Sequence, residues 1–272
     1  MDRELPQPDR ERLSALTALV VLAYGLIRIV VLPSVAVRFG ALGIIVQLNF
    51  DTQFVMLTLA AALAASGADW LIRSHPGFED TNAPDIDHMI VPGLAALGLG
   101  AILARVPAGI GLWLGLALTV GLLVSVLVAE YVVVDPLDPR RDIAAVGLSS
   151  LSILLLAGAF FAIRGLGLRA VFAIPLILVA AWAVAGRLLT LATPRGQAWL
   201  QAGVLGVLTS QVAWGLHYWR VNPVQEALVL TLVVYLGINL ITVHFTGRLS
   251  PSRWLEFGAI AALGLTTAIL LA

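Results

Sequence analysis

Long apolar segments separated by short polar turns constrain this chain more than any other feature. A helix needs about 20 mostly apolar residues to cross a bilayer. Nine segments meet or approach that length: 13–32, 52–72, 88–104, 108–131, 143–163, 169–190, 198–218, 224–245 and 254–271. Only 12% of the residues are charged, against about 25% in soluble domains. The sequence predicts an all-α, polytopic helical membrane bundle of about nine transmembrane helices.

One apolar segment, Val35–Phe50, does not fit this pattern. It is short, and Arg38, Gln47 and Asn49 interrupt it. A segment of this length more often lies in the membrane interface or in a protein core than across the bilayer. We therefore predict one short interfacial or re-entrant segment. If it spanned instead, the count would rise to ten and the N-terminus would change side.

The N-terminal residues 1–12 form a polar tail that carries three arginines and four acids. A secretory signal begins with a basic region and a short apolar core, so the first span is predicted to be retained. The chain has no cysteine, which excludes disulfides and thiolate metal sites. We expect a single helical transmembrane domain over residues 13–272.

The distribution of charge predicts an orientation and excludes one class of partner. Nine alternating spans place the tail on the same side as the loops after spans 2, 4, 6 and 8, together with ten of the sixteen arginines and fourteen of the sixteen acids. Basic residues favour the cytoplasm, so we predict a cytoplasmic N-terminus in the cell (inner) membrane of a bacterium. A net charge near zero without a basic patch excludes nucleic acid. The expected partners are the lipid bilayer and other membrane protein subunits.

The longest polar interruption, Ser66–Pro92, supplies the first candidate site. Its possible metal ligands are His75, Glu79, Asp80, Asp85, Asp87 and His88. Carboxylates suit Mg²⁺, Mn²⁺ or Ca²⁺, and imidazoles admit zinc or iron. Alternation places four further residues on the same side, where they could complete a composite site: Glu130, Asp135, Asp138 and His244.

A solvated loop is the alternative for the same segment. In that case Asp85 or Asp87 caps the third span, and Asp69 pairs with Arg73 one turn later. The spacing matches neither an HExxH motif nor an EF-hand. We predict no cofactor, and a divalent metal stays open as the alternative.

Two further polar features have both a functional and a structural interpretation. Arg140 and Arg141 follow two Asp-Pro steps and are candidate lipid-phosphate contacts, or they belong to an anchored turn with local ion pairs. An intramembrane polar stripe occupies the eighth predicted span and faces one residue of the seventh: Thr231, Tyr235, Asn239 and Gln211. Hydrogen bonds between helices explain such a stripe better than a transport pathway, because it has no ionisable residue.

Two single residues complete the candidates. Arg28 lies toward the end of the first span, where its long side chain can snorkel to the interface. His217 lies among aromatic residues at a span end and is expected to be an interfacial hydrogen-bonding group, not a haem ligand.

Three functions remain, and we rank them in order. The first is a structural or accessory component that packs with other membrane proteins, which short loops and small-residue helix faces favour. The alternative is a metal-dependent enzyme acting on a lipid or isoprenoid-linked substrate at the acidic membrane face. A small-solute transporter ranks third, because the sequence has no internal repeat and no charge at the membrane midplane.

Overall fold

The computed structural model describes residues 6–41, 44–78, 86–192, 195–246 and 251–270. Within these residues the chain forms nine α-helices and two β-strands. In chain order they are α1 (Arg10–Ile29), β1 (Val35–Ala41), β2 (Ile44–Phe50), α2 (Thr52–Ile72), α3 (Asp87–Arg105), α4 (Ile110–Val133), α5 (Arg141–Gly165), α6 (Ala170–Ala192), α7 (Arg195–His217), α8 (Pro223–Thr246) and α9 (Pro251–Leu270). Each helix matches one predicted segment, so the helical membrane bundle is confirmed.

The predicted number of about nine membrane spans is not exact by the criteria of length and composition. Seven of the helices in the described ranges satisfy both criteria, namely α1 to α6 and α8. Three glutamines, Gln197, Gln201 and Gln211, lower the hydropathy of α7. The protein is therefore a membrane-embedded helical protein, with seven helices of spanning length and hydropathy among the described residues.

The segment Val35–Phe50 is an antiparallel hairpin, a conformation that the sequence did not predict. Val35 lies opposite Phe50 and Ala41 lies opposite Ile44. The strands are rich in valine and isoleucine, whose branched side chains favour extended backbone. Strands of seven residues are shorter than the roughly 9–11 residues that cross a bilayer. The alternative of a tenth spanning helix is therefore wrong, and the interfacial placement stays a prediction.

The helix starts show which acids act as caps. The Asp9 carboxylate accepts a hydrogen bond from the Glu11 amide at 2.9 Å, so α1 begins inside the segment predicted as a polar tail. The Asp51 carboxylate accepts a hydrogen bond from the Phe54 amide at 2.8 Å and caps α2. Helix α3 begins after Ile86 without a side-chain cap, and Asp87 is its first helical residue. The capping alternative for Asp87 is therefore wrong, while Asp85 lies outside the described residues.

The helices cluster into two compact units, an N-terminal unit of residues 1–144 and a C-terminal unit of residues 145–272. In the N-terminal unit, the alanine face of α2 buries Ala60, Ala64 and Ala68. Such small side chains let neighbouring helices approach closely. The Tyr24 hydroxyl of α1 donates to the Ala96 carbonyl of α3 at 2.6 Å, which ties these two helices together. The single transmembrane domain stays a prediction.

The C-terminal unit is also held together by close packing at glycines. A side chain at Gly186 of α6 would collide with the Trp199 ring of α7. A side chain at Gly206 of α7 would lie 3.1 Å from the Leu178 carbonyl of α6. In both units small residues therefore occupy the places where the helices come closest.

We predict that replacing Gly100 by alanine destabilises the N-terminal unit. The added methyl would collide with the Tyr24 ring and with Leu57, both in the core. Overpacking of this kind costs about 1–3 kcal/mol of the free energy of unfolding. Far-UV circular dichroism during an SDS titration in mixed micelles would measure it.

The matched control is Gly121→Ala on the exposed face of α4, where nothing lies within 4 Å of the new methyl. Alanine is the better helix former by up to about 1 kcal/mol, so this variant should be neutral or slightly more stable. Equal destabilisation by the two variants would contradict the packing of α1 and α2 against α3.

Candidate functional site

Polar side chains gather at one end of the N-terminal unit, which we call the N-unit polar end (residues 6–12, 69–78, 86–88 and 130–141). Arg12 donates from Nη1 to the Trp70 carbonyl at 3.0 Å. The Tyr131 hydroxyl donates to the Gln7 carbonyl at 3.2 Å. The tail and the loops after α2 and α4 therefore lie at the same end of this unit, as the alternation of spans predicts.

The centre of this end is a buried pair from two helices. His88, the second residue of α3, has its Nδ1 atom 3.1 Å from Oε2 of Glu130 in the last turn of α4. The exposed fractions of the two residues are 4% and 0%. Each polar group in such a place needs a partner, because burial without one is costly. The pair joins the start of α3 to the end of α4.

His75 lies beside this pair and has a different environment. Its Nδ1 atom accepts a hydrogen bond from the Gly77 amide at 2.9 Å, so the neutral ring carries its proton on Nε2. The Nε2 atom is buried and has no hydrogen-bond partner among the described residues. The ring packs edge-on against Tyr131, with centroids 4.6 Å apart. Burial lowers the pKa of His75, and the carboxylates of Asp135 and Asp138 offset part of this effect.

Arg140 is engaged by the protein itself. Its Nη2 atom lies 2.7 Å from Oδ2 of Asp138 and donates to the Pro6 carbonyl at 3.0 Å. The hydrogen bond from Arg140 holds the pKa of Asp138 below its usual range. These contacts agree with an anchored turn that contains local ion pairs. Arg141 is the first residue of α5, and contact of either arginine with lipid phosphate stays a prediction.

The structure brings together only part of the predicted metal site. Asp87 is buried at the start of α3. The described residues contain no group of three His, Cys, Asp or Glu that could hold a metal. Glu79, Asp80 and Asp85 lie outside the described residues. Of the residues predicted for a composite site, His88 and Glu130 are in contact, and the site itself stays a prediction. His244 belongs to the C-terminal unit. Metal binding stays a prediction.

The polar stripe of α8 makes a contact within its own helix. The Asn239 amide donates to the Tyr235 carbonyl at 2.8 Å. Gln211, the suggested partner on α7, is exposed. The Thr231 hydroxyl is buried and makes no hydrogen bond within the described part of the chain. A role in joining helices stays a prediction.

Arg28 has a structural role that the sequence did not specify. Its Nη2 atom donates to the carbonyls of Leu103 and Ala104 at 3.1 and 3.3 Å, and also to that of Val106. The last carbonyls of a helix have no partner within the helix. Arg28 therefore satisfies the end of α3 with a side chain from α1.

The C-terminal unit contains a second polar cluster, which sequence reasoning missed. Arg164 in the last turn of α5 has its Nε atom 2.9 Å from Oε2 of Glu226 in the first turn of α8. Its Nη1 atom donates to Nδ1 of His217, the last residue of α7, at 3.2 Å. His217 is therefore a hydrogen-bonding group, as expected, with a side-chain partner. The sequence did contain a signal for this cluster. Alternation of the predicted spans places the ends of spans 5 and 7, which carry Arg164 and His217, on the same side of the membrane.

This cluster borders a cavity of about 240 Å³. The lining residues are Ile163, Arg164, Gly167, Leu168, Ala173, His217 and Glu226. Gly167 turns the chain between α5 and α6 with a φ of 61°, a backbone conformation that favours glycine. The cavity therefore combines apolar walls with an ion pair and an imidazole.

A family described as protein of unknown function, DUF5656, has a model that matches residues 32–271. The chain belongs to this family. The match to DUF5656 includes the hairpin and helices α2 to α9, and therefore most of the N-unit polar end and the whole cavity of the C-terminal unit. No curated protein and no solved structure matches the chain. The function of this DUF5656 protein must therefore be inferred from its own geometry.

We predict that Glu130→Ala costs this DUF5656 protein about 3 kcal/mol of unfolding free energy, because it leaves the buried His88 without its carboxylate. The matched control is Asp69→Ala, which breaks the more exposed pair with Arg73. An exposed pair is worth about 0.5 kcal/mol or less. SDS titration of both variants would measure the difference, and equal losses would contradict the role assigned to burial.

Acidification should destabilise the N-terminal unit through His75. The unfolded state binds a proton near the ordinary histidine pKa of about 6.5, whereas burial lowers the pKa of His75 in the folded state. The contribution of His75 is therefore fully present above about pH 6.5 and is lost as the pH falls below it. The pKa of Asp138 is lowered, so its contribution is lost only at more acidic pH.

The test compares the unfolding free energy near pH 7 and pH 5 for wild type, His75→Phe and His244→Phe. The first variant should lose less stability on acidification than wild type, while the exposed His244 control should behave like wild type. An identical pH dependence in all three proteins would show that protonation of His75 does not change the unfolding free energy, and would contradict this prediction.

Proposed function

We propose that this DUF5656 protein is a non-catalytic structural or accessory component that packs with other membrane proteins. The proposal rests on one observation: charged side chains at the N-unit polar end are paired with each other. His88 is paired with Glu130, and Arg140 is paired with Asp138. Acid and base catalysis requires groups that can reach a substrate. These groups instead hold the tail, α3, α4 and the start of α5 together.

Helix α5 offers the face best suited to a protein partner. Gly158 and Ala162 are exposed and four residues apart, so they lie on the same side of the helix. Gly147 and Ser150 are exposed toward the other end of α5, and the exposed Leu154 lies on the same face between Ser150 and Gly158. Small residues at such spacing allow a second helix to approach closely in a bilayer. A partner helix would gain packing contacts there that lipid chains provide less well.

The proposed location is the cell (inner) membrane of a bacterium, with the N-terminus in the cytoplasm. Support comes from the ten of sixteen arginines that alternation places on the side of the tail. Reporter fusions to the tail and to a loop on the opposite side would test this orientation. Cytoplasmic activity of the loop fusion alone would overturn it.

Because the chain lacks cysteine, the packing proposal has a direct test. Gly158→Cys on α5 should give a discrete, thiol-dependent crosslinked species in native membranes, while Leu118→Cys on the exposed face of α4 should give none. Coexpression of two tagged forms would separate self-association from contact with another protein. Equal diffuse crosslinking at both positions, with a monodisperse monomer after extraction, would contradict the proposal.

A metal-dependent enzyme acting on a lipid or isoprenoid-linked substrate is the second candidate. It is favoured by the placement of His75 within electrostatic range of Asp135 and Asp138 and by the contact of His88 with Glu130 at the same end of the unit. Of the remaining proposed ligands, Asp87 and His88 are described and Glu79, Asp80 and Asp85 are not.

Mass spectrometry of the purified protein would test this candidate. Stoichiometric metal in wild type that disappears in an Asp85→Ala, Asp87→Ala, His88→Ala triple variant would favour the enzyme over the accessory component. A folded wild type without metal, at a neutral pH where the carboxylates are ionised, would exclude this site. Circular dichroism of the triple variant provides the folding control.

A further inference from the structure

The cavity of the C-terminal unit lies where four helix ends meet. Arg164 and His217 close α5 and α7, while Ala173 and Glu226 belong to the first turns of α6 and α8. Tyr218 and Trp219, which follow α7, are 75% and 70% exposed. Amphipathic rings of this kind favour the boundary between hydrocarbon and water. The cavity is therefore placed at the level where lipid head groups begin.

The charges around the cavity compensate one another. Arg164 and Glu226 form an ion pair at 2.9 Å, and the side chain of Glu226 is only 2% exposed. A ligand with a net charge would add an uncompensated charge to this poorly hydrated place, which is costly. The charge balance therefore favours a neutral ligand.

The cavity nevertheless offers hydrogen-bond donors. Because Nδ1 of His217 accepts a hydrogen bond from Arg164, the neutral ring carries its proton on Nε2. The Nε atom of Arg164 lies 2.9 Å from Oε2 of Glu226 in the ion pair without a hydrogen bond to that oxygen, and Nη1 donates to His217. The Nη2 group is left as a further donor. Within the described part of the chain, neither this group nor His217 Nε2 makes a hydrogen bond. A matching ligand supplies oxygen acceptors.

The size and walls of the cavity define the ligand further. A volume of 240 Å³ equals about eight water molecules and is below the range of about 300–1,000 Å³ typical of drug-sized ligands. Ile163, Leu168 and Ala173 provide apolar walls beside the polar groups. The cavity therefore suits a small polar group attached to an apolar chain.

We infer that this cavity binds the neutral, oxygen-rich head group of a membrane amphiphile, of which the glycerol ester of a monoacylglycerol is an example. The oxygens of the head group accept hydrogen bonds from Arg164 and His217. The acyl chain leaves along the apolar walls toward the bilayer. This binding site is independent of the accessory role proposed above.

The test uses the full chain in nanodiscs and a monoacylglycerol carrying a diazirine near its head group. Photolabelling should concentrate in peptides that contain residues 163–173 or 214–226, and unlabelled monooleoylglycerol should compete for it. Oleate, which has the same chain but a charged head group, should compete at least about tenfold less well, since a buried unpaired charge is costly. Labelling spread evenly over the exposed helices, or equal competition by oleate, would overturn the inference.

Two variants examine the cavity itself. His217→Phe keeps the ring but removes the donor and should weaken competition by monooleoylglycerol roughly threefold to tenfold. Ala173→Phe fills the cavity and should abolish specific labelling. His244→Phe, an exposed histidine of α8, is the matched control and should label as wild type does. Unchanged labelling in both cavity variants, with unfolding curves like that of wild type, would contradict the site.

The same head-group chemistry also exists in water-soluble polyols, so free glycerol is included as a competitor. Competition by monooleoylglycerol alone supports the inferred membrane source. Glycerol that competes equally well on a molar basis would show that the acyl chain contributes nothing and would overturn that source.

Discussion

Ionisable side chains at the ends of apolar helices are the physical constraint on which this structure depends. A charged or polar group carried toward hydrocarbon must find a partner within the protein, because neither lipid nor scarce water compensates for its lost hydration. Arg28 meets this need by donating hydrogen bonds from its guanidinium to three carbonyls at the end of α3. Glu130 meets it through His88, and Glu226 through Arg164. Each pair joins helices that are separate in sequence.

These pairs also show which polar groups are engaged within the protein and which could bind a ligand. At the N-unit polar end, His88 is paired with Glu130 and Arg140 with Asp138, whereas the Nε2 atom of His75 is buried without a hydrogen-bond partner among the described residues. In the C-terminal unit, the ion pair borders an open volume of about 240 Å³. Pairing beside empty space leaves donors that a ligand can use, whereas pairing inside a packed interface does not. This difference explains why we assign the two clusters different roles.

Small residues determine how closely the helices approach one another, and therefore which of these contacts can form. The alanine face of α2 and Gly100 of α3 bring Tyr24 within reach of the Ala96 carbonyl. On α4, Gly115 faces Leu103 of α3, so this glycine serves packing within the N-terminal unit. The exposed glycines Gly147 and Gly158 of α5 have no such internal contact, which is why we propose this helix as the contact surface for a partner.

The helical class and the positions of the nine helices were determined by the sequence alone, because about 20 consecutive apolar residues have few stable conformations other than a helix in a membrane. Local capping by Asp51 and the pair of Asp69 with Arg73 were predictable for the same reason, since their partners are close in sequence. The hairpin was missed because short apolar runs with branched residues fit several conformations. Only the tertiary structure decided that His88 meets Glu130 and that Arg164 meets both His217 and Glu226, because these contacts depend on how helices rotate and pack, and hydropathy does not specify rotation.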